Sequence, residues 1–222
     1  MIIRKDVFHF LKKLKTNNDR DWFNDNKSNF KLIEKEIKLF GEELKNRINE
    51  HDEIDLFKLF RIYRDIRFSK DKTPFKTHFG LTWHRTKPMN RGGYYFHIEP
   101  NNSFLACGFW DPNPKDLYRI RREIFFDSSE LKKIILKNEF LHVWGKLKGN
   151  ELKTAPRNFD KSHPDISLIR KKQYIFSIKY SDQEVLNDTF IEKLNLAIKT
   201  VRPFVDYMSE ILTTNENGES II

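Results

Sequence analysis

The chain lacks most of the features that would announce a familiar chemistry. It holds one cysteine, Cys107, so it can form neither an internal disulfide nor a thiolate-rich metal site, which fits a reducing compartment. It has only eight glycines in 222 residues, and none stand in the G-x-x-x-x-G-K-[ST] pattern that cradles nucleotide phosphates. Gly92-Gly93 alone carries no such meaning. The Arg64-Asp65 pair is not accompanied by a His-Arg-Asp loop, an Asp-Phe-Gly triplet or a glycine-rich loop, so a protein-kinase site is excluded. Apolar runs are a few residues long, far short of the roughly 20 needed to span a bilayer. The start, Met1-Ile2-Ile3-Arg4-Lys5-Asp6, has no apolar core followed by a cleavage site, so no secretory signal is expected. A soluble, cytoplasmic protein is the expectation. The seven histidines form no His-x-x-x-His pair, and no metal or other cofactor is expected.

What is abundant is aromatic carbon and positive charge. Twenty phenylalanines and four tryptophans imply an aromatic-rich core. The net charge is +9, and it is unevenly spread. Residues 61–91 hold nine Lys and Arg against two Asp, a surplus of seven, which leaves +2 for the other 191 residues. A charge so concentrated is expected where a surface meets an anion. The alternative is a merely solvated face.

Periodicity outlines an α+β fold. Val7, Phe10, Leu11 and Leu14 mark a first helix that Asp6 can cap, interrupted at Thr16-Asn17-Asn18-Asp19. Trp22, Phe23, Phe30, Ile33, Ile37, Phe40, Leu44 and Ile48 form a helical stripe from about Asp21 to Glu50, breakable at Asn24-Asp25-Asn26. The period then shortens. Leu59–Tyr63 and Thr77–Trp83 read as strands, with Pro74 between them. Gly93–Glu99, a Pro100-Asn101-Asn102 turn and Ser103–Trp110 read as a hairpin. Helices are expected from Asp111 to about Phe126, from Ser128 to Lys137, over Pro164–Lys171, and from Asp188 to about Leu212. A short hairpin is expected around Lys148-Gly149-Asn150, and a strand at Tyr174–Tyr180. The arrangement implies one α+β domain over 1–212, with a mostly antiparallel sheet and helices from both chain ends packed on it, and a frayed polar tail over 213–222.

The segment Arg61–Lys76 concentrates the candidate chemistry. Asp65 lies between Arg64 and Arg67, where a carboxylate can orient a guanidinium by paired hydrogen bonds. Ser69-Lys70-Asp71-Lys72-Thr73-Pro74 is short and turn-prone, so its N–H groups and ammonium groups could surround an anion. The competing reading is that Asp65 and Asp71 only brace a turn. A second cluster is expected on the hairpin, where Tyr95, His97 and Glu99 share one face and Glu99 could orient the His97 imidazole. Ordinary cross-strand bonding is the plainer account. His78 and His84, six residues apart, give only a faint hint of a metal or phosphate contact. Arg119, Arg121 and Arg122 add a basic patch, Asn158 suits a left-handed turn, and Cys107 reads as core.

Taken together, these motifs resemble one family. Asn17-Asn18 with Arg20, Trp22-Phe23 and Lys27, then Arg61-Ile62-Tyr63-Arg64-Asp65, Arg67-Phe68-Ser69-Lys70-Asp71-Lys72-Thr73-Pro74-Phe75-Lys76, Gly93-Tyr94-Tyr95 with Glu99-Pro100, and Leu152-Lys153 with Pro156-Arg157 are similar to the domain-of-unknown-function 2461 family of conserved hypothetical proteins. The resemblance runs from about Val7 to Leu212. Phe75 stands where the family usually has Tyr, and Asn158 where it usually has Gly. The resemblance implies no established activity, substrate or cofactor. It points to Arg64, Asp65, Arg67, Ser69, Lys70, Asp71, Lys72 and Lys76 as the residues of interest.

Three functions follow as expectations. The first is a binding domain, or an enzyme of unassigned reaction, that holds a small phosphate- or carboxylate-bearing ligand on the 61–76 loop. The second is nucleic-acid binding, which fits a pI near 9.4. The third is a structural or partner-binding protein in which the motif is a folding brace. The sequence assigns no membrane partner and no oligomeric state.

Overall fold

The computed structural model describes residues 1–222. Helix α1 (Lys5–Thr16) buries Val7, Phe10, Leu11 and Leu14 on one face, as their spacing requires. Its N-cap is Arg4 and carries no side-chain cap; Asp6 sits inside the first turn, where a carboxylate favours the helix dipole. Asp19 caps α2 (Arg20–Asp25) by accepting from the Trp22 amide at 2.9 Å. After the break at Asn26, α3 (Lys27–Ile48) buries Phe30, Ile33, Ile37, Phe40, Leu44 and Ile48.

The sheet has five strands in the order β1 (Ile54–Leu59), β2 (Phe79–Arg85), β3 (Gly93–Ile98), β4 (Ser103–Phe109), β5 (Tyr174–Tyr180), with antiparallel neighbours. The fold class is α+β, as the sequence implied. The β3–β4 hairpin forms at the expected turn, with Asn101 at φ 61°. The first strand lies earlier than its apolar pattern suggested. Leu59–Tyr63 contributes only its first residue to β1. As the edge strand, β1 leaves Leu56 half exposed and buries only Ile54 fully, so its two faces are weakly distinguished.

The remaining helices are α4 (Pro114–Phe126), α5 (Ser129–Ile135), α6 (Asn138–Trp144), α7 (Ile166–Ile169), α8 (Asp182–Val185) and α9 (Phe190–Thr213). Asn113 caps α4 by accepting from the Asp116 amide at 2.9 Å, with Pro114 at its first turn. Helices α6 and α8 were not anticipated; α8 is a single turn held by a Ser181–Glu184 capping box. The hairpin expected at Lys148–Asn150 is absent. Lys148 bridges Ile175 and Glu151 bridges Lys171, so this segment pairs with distant chain. Gly149, at φ +117°, allows it: a Cβ there would lie 2.4 Å from the Gln173 carbonyl oxygen. Asn158 does adopt a left-handed turn, at φ 70°. Cys107 is buried.

Contacts group the chain into two compact units. One comprises Met1–Trp83, Tyr95–Leu105 and Lys179–Leu196; the other comprises His84–Tyr94, Ala106–Ile178 and Ala197–Ile222. The chain passes from one to the other five times, within β2, β3, β4, β5 and α9. The first unit is organised by aromatic rings. Phe30 lies 5.8 Å from Phe10, 5.0 Å from Phe23 and 6.2 Å from Phe79, and Phe23 stacks on Phe75 at 4.0 Å. Phe57 packs against Gly41, and Trp83 donates its indole N–H to the Gly41 carbonyl at 3.0 Å. In the second unit, Phe176 meets Phe140 and Phe204 edge-on, and Trp144 donates to the Ala197 carbonyl at 2.9 Å. There the buried Arg85 guanidinium pairs with Asp206 and donates to Ser209 Oγ at 3.1 Å. Of the tail, Thr214 bridges Ser220, and the Asn215 amide donates to the Glu219 carbonyl at 2.8 Å.

Candidate functional site

The 61–76 segment is an irregular loop tied at its base. Tyr63 and Phe75 form an antiparallel bridge, the Arg64 amide donates to the Pro74 carbonyl at 2.9 Å, and the Lys76 amide donates to the Ile62 carbonyl at 2.8 Å. Ile62 and Phe75 are buried and anchor the two legs. Asn18 clamps the second leg from both sides. Its side-chain amide donates to the Phe75 carbonyl at 3.0 Å, and its carbonyl accepts from the Phe75 amide at 3.1 Å.

Each aspartate of the motif holds one arginine. Arg64 bonds to the Asp71 carboxylate and to the Thr73 hydroxyl. Asp71 also accepts from the Thr73 amide at 3.0 Å and hydroxyl at 2.8 Å. The Arg64 hydrogen bond, followed by those from Thr73, pulls the Asp71 carboxyl down to about 2. Asp65 takes Arg67 in a forked pair, at 3.0 Å from Nε and 2.6 Å from Nη2, which lowers Asp65 and raises Arg67. That second pair is open to solvent and contributes little stability. Lys72 donates to the Ile66 carbonyl at 3.0 Å. Ser69 lies 3.5 Å from Arg64 Nη2, and Lys70 is exposed and unpaired.

A cleft of about 430 Å³ opens beside this loop. It is lined by Lys15 and Asn18, by Arg64, Asp71 and Thr73 of the loop, and by the run from Phe75 to His78. Three cationic side chains (Lys15, Arg64, Lys76) face one carboxylate (Asp71), so the lining carries a net charge of +2. Lys76 donates to the Arg61 carbonyl at 3.0 Å and lies 5.6 Å from the Phe60 ring centre. Burial, and then the nearby Arg61 and Lys58 charges, lower its pKa. Of the residues singled out in sequence, Arg64, Asp71 and Lys76 meet at the cleft. Asp65, Arg67, Ser69, Lys70 and Lys72 do not line it. Asn18, which stands at the helix break, and His78, faintly marked by its spacing from His84, join it, as does Lys15, which carries no local signal.

The hairpin cluster does assemble. The Tyr95 hydroxyl lies 3.0 Å from His97 Nδ1, and His97 Nε2 lies 3.1 Å from Glu99 Oε2. These bonds run along one strand, between residues i and i+2, and are not cross-strand. Asn102 donates to the same Glu99 oxygen at 2.8 Å. Burial alone would raise Glu99, but the Asn102 and His97 hydrogen bonds outweigh it and its pKa is lowered. Burial lowers His97. An ionised Glu99 therefore accepts from Nε2–H of a neutral imidazole, and Nδ1 accepts the Tyr95 proton. Burial, then Glu99, raises Tyr95.

His78 links the two clusters. Its ring lines the cleft and packs against His97, with ring centres 4.2 Å apart. Burial, and then His97, push it down to about 4. No three His, Cys, Asp or Glu side chains in the structure are placed to hold a metal ion together.

The other basic features are internally engaged. Arg119 pairs with Glu123, Arg122 with Glu216, and Arg121 donates to the Lys171 carbonyl at 2.9 Å. No helix is long and apolar enough to cross a membrane.

A family model described as "Conserved hypothetical protein (DUF2461)" matches residues 6–207. No curated protein and no solved structure matches the chain.

Proposed function

We propose a small-anion-binding role for this chain, which belongs to the DUF2461 family of conserved hypothetical proteins. The ligand carries a phosphate or carboxylate group and sits in the cleft beside the 61–76 loop. The observation that carries this reading is the lining itself, with Lys15, Arg64 and Lys76 against Asp71. Lys76 supports it further. Its charge is partly desolvated and crowded by other cations, so a bound anion would relieve it. Arg64 is already committed to Asp71, and presents to a ligand only the guanidinium edge that this pair leaves open. The brace and the unpaired charge of the cleft are thus carried by different residues. Arg64, Asp71 and Thr73 hold the loop's shape, while Lys15 and Lys76 supply the charge. The protein is read as cytoplasmic, and no reaction is assigned to the cleft.

The test is a thermal-shift screen with sulfate, inorganic phosphate, phosphorylated metabolites and dicarboxylates. A ligand at 100 times its Kd should stabilise the fold by about 2.7 kcal/mol. Absence of any anion-dependent shift at low ionic strength would overturn the reading.

One observation favours nucleic acid as a second reading. Phe68, at the loop's tip, is 95% exposed, the Arg67 guanidinium lies 5.9 Å from its ring centre, and Lys70, two residues on in sequence, is exposed. An exposed ring next to a guanidinium is the kind of surface on which an unpaired base stacks. Filter binding of single-stranded DNA across a salt series decides it, since affinity carried by phosphate contacts falls steeply with salt.

A further inference from the structure

This inference rests on the anion-binding reading and takes it further. We propose that the cleft takes up its anion together with a proton, and that the proton resides on His78.

His78 lines the same cleft as Lys15, Arg64 and Lys76, and neither of its ring nitrogens is hydrogen-bonded within the protein. Its neighbour His97 is in the opposite condition. Both His97 nitrogens are committed, one to Tyr95 and one to Glu99, so it gains a proton only if the Tyr95 bond reverses. Of the two adjoining rings, His78 is therefore the one with a free acceptor nitrogen.

The charges facing His78 set the direction. The imidazolium is disfavoured by burial, by His97, whose ring centre lies 4.2 Å away, and by Lys76, and is favoured only by Glu99 beyond His97. Lys15 from α1 and the Arg64–Asp71 pair from the loop line the same space. These protein groups thus hold His78 neutral near pH 7. An anion seated among these groups reverses the balance. It adds negative charge beside the ring and offers an oxygen for an imidazolium N–H to donate to. The ring's pKa must then be higher with anion bound than without. By linkage, affinity rises as pH falls through the bound-state pKa, with a slope of at most about tenfold per pH unit for one proton. The gain levels off below the free-state value of about 4.

Sulfate is the probe, because it does not titrate between pH 5 and 8. Calorimetric titration of the full chain at pH 6, in two buffers of different ionisation enthalpy, reads proton uptake directly. The expected result is uptake of a fraction of one proton per sulfate, with Kd tightening severalfold between pH 7.5 and 5.5. H78Q should still bind sulfate, with no proton uptake and a pH-independent Kd. Should H78Q fold poorly, an NMR titration of the His78 imidazole in the unmodified protein, with and without sulfate, serves in its place and should show the pKa rise on binding. Binding without proton uptake, or uptake that persists in H78Q, would overturn the inference and leave the anion reading standing. No sulfate binding at any pH would remove both.

Discussion

Arg64 and Asp71 close on each other across the 61–76 loop, and Thr73 completes the contact from the same side. The pair turns a stretch dense in positive charge into a shaped loop. It also sets a pH limit. The Asp71 carboxyl is held at about 2 in the fold, below its usual 3.8. A depressed carboxyl contributes stability above its unfolded pKa and loses it as pH falls through the folded one. Urea unfolding of the native protein and Asp71→Asn should therefore differ at pH 7, and the gap should close between about pH 4 and pH 2. A constant gap would mean that Asp71 acts through shape and not charge.

Lys76→Met removes a partly desolvated cation while keeping its aliphatic stem. Fold stability should stay the same or rise slightly. Sulfate affinity should drop by about tenfold or more, the worth of one charge-assisted hydrogen bond. Equal loss of both would assign Lys76 to the fold alone.

Asn18 makes two hydrogen bonds to the backbone of Phe75, 57 residues away. Asn18→Ala leaves both Phe75 groups unpaired in a partly buried place and should cost about 1–3 kcal/mol. Hydrogen exchange at the Phe75 amide should accelerate with it. An unchanged exchange rate would show that the Phe23–Phe75 stack suffices to hold the leg.

Gly41 gives Phe57 its space. An added Cβ would lie 2.0 Å from the ring's Cζ, and the ring also packs on Trp83 at 5.5 Å. Gly41→Ala should destabilise the fold by about 1–3 kcal/mol, measured by chemical denaturation. Phe68→Ala, at the exposed tip, should change stability by no more than about 0.5 kcal/mol. It lowers affinity for single-stranded DNA only if bases stack there.

Legibility followed locality. The α3 stripe, the β3–β4 hairpin and β5 were readable because the residues that bury together lie within one element. The edge strand β1 was misplaced because half of it faces solvent. The local sequence suggests a hairpin at Lys148 because its true partner, Ile175, lies 27 residues on. The site divides in the same way. Asp65 with Arg67, and Tyr95 with His97 and Glu99, are short-range pairs that spacing anticipates. The approach of Lys15, Asn18 and His78 to Arg64 depends on the ring packing of Phe10, Phe23, Phe30 and Phe75, which no periodicity reports.

The five passages between the two compact units all fall inside a strand or helix, and none in a connecting loop. A gene encoding this protein therefore has no seam. Recombination that swapped one unit for a foreign one would have to cut β2, β3, β4, β5 or α9 in mid-element.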